Sequence, residues 1–199
     1  MALPFEVTWD YLCPFARNAH EHLVTALEAG AEWDVTFRFF SLSQSHAPEG
    51  NEVWSDPLVH SGVLAGLCGI VVRDREPDHF LATHRALFQA RHDKGVDLRD
   101  PDAVARTLDE VGLEGAAVVE EALSGWPAQI ARSEHQEAVT AWEVFGVPTF
   151  IADGRAAFVR LMTRPGDDAK LAEQTIERVL DLFENFAELN EYKFTQIAR

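Results

Sequence analysis

Trp9-Asp10-Tyr11-Leu12-Cys13-Pro14-Phe15-Ala16 decides how the rest of the chain is read. Upstream, Phe5, Val7 and Trp9 alternate with Glu6, Thr8 and Asp10, the period of a half-buried strand. Downstream, Ala16, Ala19, Leu23, Ala26 and Leu27 share one helical face, and Gly30 stands where a helix would end. Cys13 therefore falls where a strand turns into a helix. Free backbone N–H groups and the positive end of the helix dipole favour a thiolate there. Pro14 suits the first helical turn, where its missing N–H costs nothing. A cysteine can equally be a buried, inert hydrophobe, but the junction favours the reactive reading. Position 16 holds Ala, so the motif is Cys-Pro-Phe-Ala and not Cys-x-x-Cys. Any thiol chemistry is expected to be monothiol, with the second thiol supplied by a partner or a small molecule.

The 199 residues suffice for one sizeable domain, or a domain with a large insertion. With 47% hydrophobic residues, including 13 Phe and 5 Trp, the core needs no metal or disulfide support. A net charge of -16 argues against nucleic acid or an anionic membrane as partner. Two cysteines, Cys13 and Cys68, make no secreted disulfide framework. The first residues lack the basic and apolar regions of a signal peptide, and no apolar run reaches the ~20 residues of a membrane helix. A reducing cytoplasm is the expected compartment.

Beyond Gly30, Val35, Phe37 and Phe39 mark a second strand, and the helix between the strands implies a parallel βαβ unit. Residues 43–55 read as a polar loop. Helical patterns then run without a strand signal to residue 146. The first is opened by Asp56-Pro57 and carries Leu58, Val63, Leu64, Leu67, Cys68, Val71 and Val72, weakened by Gly62, Gly66 and Gly69. Pro77 and Asp100-Pro101 open two more, a short one covers 115–123, and the last runs from Pro127 to Gly146 with Ile130 and Phe145 in its apolar set. Strand signals return at 149–152. Asp153-Gly154 is a hairpin-turn dipeptide, and 157–161 form the returning strand. Asp167 and Asp168 can cap a final helix with Leu171, Ile176, Val179, Leu180 and Phe183 on its buried stripe. Phe186, Leu189, Tyr192 and Phe194 suggest a further helix in the tail.

The order strand, Cys-helix, strand, helical block, Val147-Pro148-Thr149, β-hairpin, helix resembles an α/β thioredoxin-like fold of the DsbA type with a large all-helical insertion. The resemblance spans roughly Pro4 to Phe183. Asp10-x-x-Cys13-Pro14-Phe15 and Ala86-Leu87-Phe88-Gln89-Ala90-Arg91-His92 look like the group containing cytoplasmic DsbA-like proteins, 2-hydroxychromene-2-carboxylate isomerases and kappa-class glutathione transferases. The resemblance implies residues 1–43 and 147–199 as the thioredoxin-like domain and 44–146 as the insertion. It implies Cys13 as nucleophile, faced by a cis Pro148, with the Val147 backbone pairing with a bound thiol. Trp9, Asp10, Tyr11, Pro14, Phe15, Val147, Pro148 and Thr149 then form the substrate- and thiol-binding set. The cosubstrate would be mycothiol or glutathione, with no tightly bound cofactor and no metal. The substrate would be a disulfide or an electrophile. Ala16 is the departure: it leaves the motif without the second cysteine that dithiol cycling uses.

Several alternatives stay open at this level. Trp9, Tyr11 and Phe15 either rim a substrate site or bury core surface. Asp10 either handles a proton or hydrogen-bonds a local turn. The eight histidines lack zinc-motif spacing, and His84, on an apolar stripe, reads as a satisfied core residue. Cys68 is expected to be a small buried hydrophobe. The Cys13 pKa is expected below the free-thiol value of ~8.5, with the helix terminus and Arg17 outweighing Asp10. Three functions fit: a monothiol oxidoreductase, a thiol-dependent transferase or isomerase, and a non-catalytic thioredoxin-like binding module.

Overall fold

A computed structural model describes residues 4–186, 188–191 and 193–194. The strand β1 (Phe5–Trp9) feeds α1 (Pro14–Glu28), which returns to β2 (Val35–Phe39). β2 lies parallel to β1. Six helices follow: α2 (Leu42–Ser45), α3 (Val63–Arg75), α4 (Pro77–His92), α5 (Pro101–Asp109), α6 (Gly115–Ala122) and α7 (Trp126–Trp142). The chain then re-enters the sheet as the hairpin β3 (Thr149–Ala152) and β4 (Arg155–Phe158), and α8 (Ala169–Asn185) closes it. The strand order is β2-β1-β3-β4, with β3 antiparallel to both neighbours. β1 is thus central, buried between the two halves of the sheet. The architecture is the thioredoxin-like α/β sheet with a helical insertion.

The structure departs locally from the periodic reading: the stretch 43–55 read as a loop carries most of α2 and a 3-10 turn at Val53–Ser55. Asp56-Pro57 does not open a helix. α3 starts only at Val63, after Gly62 in a left-handed conformation (φ 79°), and Leu58 is exposed. A side chain at Gly62 would sit 2.7 Å from Leu12, so this start is dictated by the loop before Cys13. α7 stops at Trp142, with Glu143 left-handed at φ 53°, and Phe145 and Ile130 face solvent. The hairpin return covers 155–158 instead of 157–161. Leu171 is exposed, and Ala172 takes its place on the buried stripe of α8. Among the described tail residues no helix follows Asn185, and Tyr192 lies outside the described residues.

The glycines that weaken α3 have a packing role. A Cβ on Gly66 would lie 2.3 Å from the Phe39 ring, and one on Gly69 would lie 2.6 Å from the Tyr11 hydroxyl. Trp9, Tyr11, Phe37, Phe39, Phe80 and Phe88 form the aromatic centre of the core beneath β1 and β2. The outer edge of β2 is covered by side chains. Glu134 on α7 accepts from the Phe39 N–H at 2.7 Å, and Arg73 on α3 donates to the Phe37 carbonyl at 2.8 Å. Arg73 and Glu134 pair with each other, so an ion pair takes the positions that a further strand's N–H and C=O would occupy.

Candidate active site

Cys13 caps α1. Its backbone is extended (φ -90°, ψ 119°), and its sulfur accepts from the Ala16 N–H at 3.4 Å. The Cys13 N–H donates to the Asp10 carbonyl, which tightens the turn between β1 and α1. On the opposite side the thiol donates to the Val147 carbonyl at 3.2 Å. The Val147-Pro148 peptide is cis. Residues 13 and 147 are 134 positions apart, and the pairing of β3 with β1 brings them together. Thr149 reinforces that pairing: its N–H donates to the Thr8 hydroxyl at 2.9 Å.

Asp10 is buried, and both of its carboxylate oxygens are engaged. Oδ1 accepts from the Leu12 N–H at 2.9 Å and Oδ2 from the Leu42 N–H at 2.7 Å. It therefore fastens the Cys13 turn to the start of α2. Burial pushes its pKa up to about 6, against the pull of those two N–H groups. The turn role is the one seen, extended to a partner 32 residues away.

The depressed thiol pKa expected from the helix terminus is corrected here. Cys13 is only 8% exposed, and burial raises its pKa above the ordinary thiol value. The Ala16 and Phe15 N–H groups pull the other way, and Asp10 adds a further upward push. The bond to Val147 also uses the thiol proton, which favours the neutral form. Arg17 does not reach the sulfur. Its guanidinium is committed to Glu21 at 2.7 Å and to Asp93.

The apolar rim reduces to one of its three candidates. Trp9 and Tyr11 are fully enclosed in the core and present no surface to a substrate. Phe15 is half-buried with the Arg160 guanidinium 5.2 Å over its ring, and Pro14 is exposed at the first turn of α1. Val147, Pro148 and Thr149 are buried, so Val147 offers its carbonyl and not its side chain. Two surface hollows, one lined by Gln44, Trp54 and His135 and the other by Arg38, Arg73 and Glu134, include none of these residues. No group of three or more metal-ligating side chains occurs among the described residues.

Residues outside the expected set also hold the site. His92 on α4 meets the Tyr11 carbonyl at 3.0 Å. His84, also on α4, meets the Tyr11 hydroxyl at 2.9 Å and His20 at 2.9 Å. His84 carried a sequence signal in its place on the stripe of Phe80 and Phe88, and His92 in closing the Ala86–His92 segment that carried the resemblance.

The DSBA-like thioredoxin domain family matches residues 6–169, which runs from β1 through the helical block and the hairpin to the start of α8. The chain belongs to this family. A DSBA-like domain with Ala16 in place of a second motif cysteine is thus what the geometry describes. No curated protein sequence matches significantly. Among solved structures, the cytosolic disulfide reductase DsbM from Pseudomonas aeruginosa with GSH is similar over 90% of this chain and 100% of its own, at 14% identity and a TM-score of 0.62. A 2-hydroxychromene-2-carboxylate isomerase is similar over 92% and 99%, at 15% identity and a TM-score of 0.61. Reduced DsbA1 from Neisseria meningitidis is similar over 94% and 86%, at 15% identity and a TM-score of 0.59. At such identities these likenesses carry the fold alone.

Proposed function

We propose that this DSBA-like domain is a monothiol oxidoreductase in which Cys13 works with a low-molecular-weight thiol, glutathione or mycothiol. The observation that carries the reading is the Cys13 sulfur at an α1 N-terminus, 3.2 Å from the carbonyl before Pro148. A thiol lying along that segment would take the Val147 carbonyl as a backbone partner and bring its sulfur to Cys13. The Cys13 thiolate attacks one sulfur of a disulfide; the S–S bond breaks, and the other sulfur leaves as a thiolate. A second small thiolate then attacks the mixed disulfide at the substrate-derived sulfur. Cys13 is regenerated, and the small thiol is joined to that sulfur in a new disulfide.

The absence of a resolving group at Ala16 supports external release. Cys13 and Cys68 are both free, and two unpaired cysteines support a reducing cytoplasm as the compartment. No helix among the described residues is long and apolar enough to cross a membrane. We propose the same division of the chain as the sequence suggests, with 1–43 and 147–199 carrying the thiol site and 44–146 inserted between them.

One observation favours a transferase or isomerase as second reading. Cys13 rests as a neutral thiol bonded to Val147, a state suited to holding another thiol beside an electrophile. Incubation with glutathione disulfide, followed by intact mass, tests the first reading. One glutathione adduct is expected on wild type and on Cys68→Ser, and none on Cys13→Ser. Turnover of a small disulfide should follow the same pattern. A wild-type protein that forms no adduct and turns over no disulfide removes the oxidoreductase. If it still converts an electrophile with bound thiol, the second reading stands; if it does neither, the chain is a binding module.

A further inference from the structure

Tyr11, two residues before Cys13, is held at both ends by one helix of the insertion. Its hydroxyl meets His84 and its carbonyl meets His92, two turns further along α4. The chain of contacts continues inward. His84 Nε2 meets His20 Nδ1 at 2.9 Å, and His20 Nε2 meets the Thr8 carbonyl at 3.0 Å. Thr8, His20, His84 and Tyr11 are all fully buried.

The protons in this chain have one arrangement. The Thr8 carbonyl can only accept, so His20 carries its hydrogen on Nε2. Burial keeps both imidazoles neutral, which leaves His20 Nδ1 an acceptor. His84 must then donate from Nε2 and accept at Nδ1, and the Tyr11 hydroxyl is the donor that satisfies it. Each ring nitrogen of the two histidines is used once, and none can be removed without stranding a buried polar atom. At the far end the Thr8 hydroxyl takes the Thr149 N–H, one residue after Pro148. Both walls of the thiol site are therefore tied to one buried chain: the Cys13 turn through Tyr11, and the Pro148 segment through Thr8.

We propose that His92 and His84 are positioning residues that, through Tyr11, hold Cys13 against the Val147 carbonyl. α4 then serves the thiol site through Tyr11. This rests on Cys13 being the reactive thiol. It concerns how the enclosed geometry of that thiol is maintained.

His92 is half-buried, which makes it the tractable position. Glutamine places an amide N–H at the reach of the histidine Nε2, whereas leucine has no donor and asparagine falls one bond short. The readout is the pH midpoint of Cys13 alkylation by iodoacetamide, followed by peptide mass, beside the melting temperature. Releasing the Tyr11 carbonyl lets water reach Cys13 and relieves part of the burial penalty. His92→Leu and His92→Asn should lower the midpoint by about half a unit to one unit, an alkylation about three- to tenfold faster below it. His92→Gln should restore the wild-type midpoint. Tyr11→Phe, which strands His84 Nδ1, should move it in the same direction as His92→Leu.

A purely structural His92 would lower the melting temperature of His92→Leu and His92→Asn while leaving the midpoint of the folded fraction unchanged, and this overturns the proposal. So does a His92→Gln midpoint that follows leucine. Alkylation reads the surroundings of Cys13 whether or not the protein turns over a disulfide. A failure here is thus distinct from a failure of the glutathione-adduct experiment.

Discussion

The two cysteines of this chain lie in comparably apolar surroundings and differ in what their sulfurs meet. Cys68 sits in the middle of α3 with no exposure, and burial pushes its thiol up to about 12. Helical N–H groups there are already spent on carbonyls one turn back. Cys13 sits at the one end of α1 where N–H groups are still available, and Ala16 and Phe15 supply them. It retains 8% exposure and a carbonyl partner from another strand. Burial raises both thiols, so position in a helix does not by itself make a thiolate. It leaves Cys13 with two first-turn N–H groups opposing burial and a carbonyl within reach of a ligand, while at Cys68 its own backbone N–H is what opposes burial.

The contrast can be broken most sharply by counting reactive thiols. Alkylation of the folded protein at pH 8.5 should modify Cys13 alone, and unfolding in guanidinium should raise the count to two. Cys13 should react slowly at pH 6, because its thiol lies above the ordinary value, and progressively faster as the pH rises. Folded-state modification of Cys68 at a comparable rate would erase the distinction.

Acid should merge the two cysteines by opening the core around them. His20 is held neutral, with its pKa lowered by burial to about 4 from an ordinary 6.5, and His84 is lowered further. The unfolded chain takes up these protons first. The stability is therefore complete above 6.5 and is lost as the pH falls towards 4. For His20 alone this is on the order of 3 kcal/mol. Asp10 acts in the opposite sense. Its pKa is raised to about 6, so protonation between 6 and its ordinary 3.8 returns stability to the fold. His20, His84 and His135, the last also lowered to about 4, should together outweigh it. Melting temperature should therefore fall from pH 7 to pH 4.5, with Cys68 becoming accessible to a dipyridyl disulfide over the same range. A flat profile would mean that the histidines are not held neutral.

The smallest effect probes the link between the regions. Gly69 follows Cys68, and a methyl group there would lie 2.6 Å from the Tyr11 hydroxyl. Gly69→Ala should cost about 1–3 kcal/mol by overpacking. It should also make Cys13 alkylation faster, because the displaced Tyr11 is the residue before Leu12 and Cys13. Lost stability with unchanged Cys13 reactivity would show the two regions to be independent.

The strand-to-helix junction at Cys13, the helical block and the strand after Pro148 were legible because each leaves a periodic or punctuated signature within a dozen residues. Errors had two sources: a distant residue, as where Leu12 against Gly62 delays α3, and a one-residue slip of helical phase, as where Ala172 replaces Leu171 on the stripe of α8. Trp9 and Tyr11 looked equally suited to a rim or a core, because an aromatic residue before a motif cysteine has the same pattern in either place.

The sequence by itself determined the order of the strands and of the helices other than α2, the helix-capping place of Cys13, the lack of a resolving thiol at Ala16 and the proline ahead of β3. These are properties of neighbouring residues, set by propensity, spacing and chemical identity. Tertiary structure alone decided that the Cys13 thiol is raised and not lowered, and that Trp9 and Tyr11 are enclosed. It also decided that Tyr11, His84, His20 and Thr8 share one set of protons. Desolvation depends on everything packed around a group, and the bonds from Tyr11 to His84 and from Cys13 to Val147 span 73 and 134 positions, distances over which no local pattern is written.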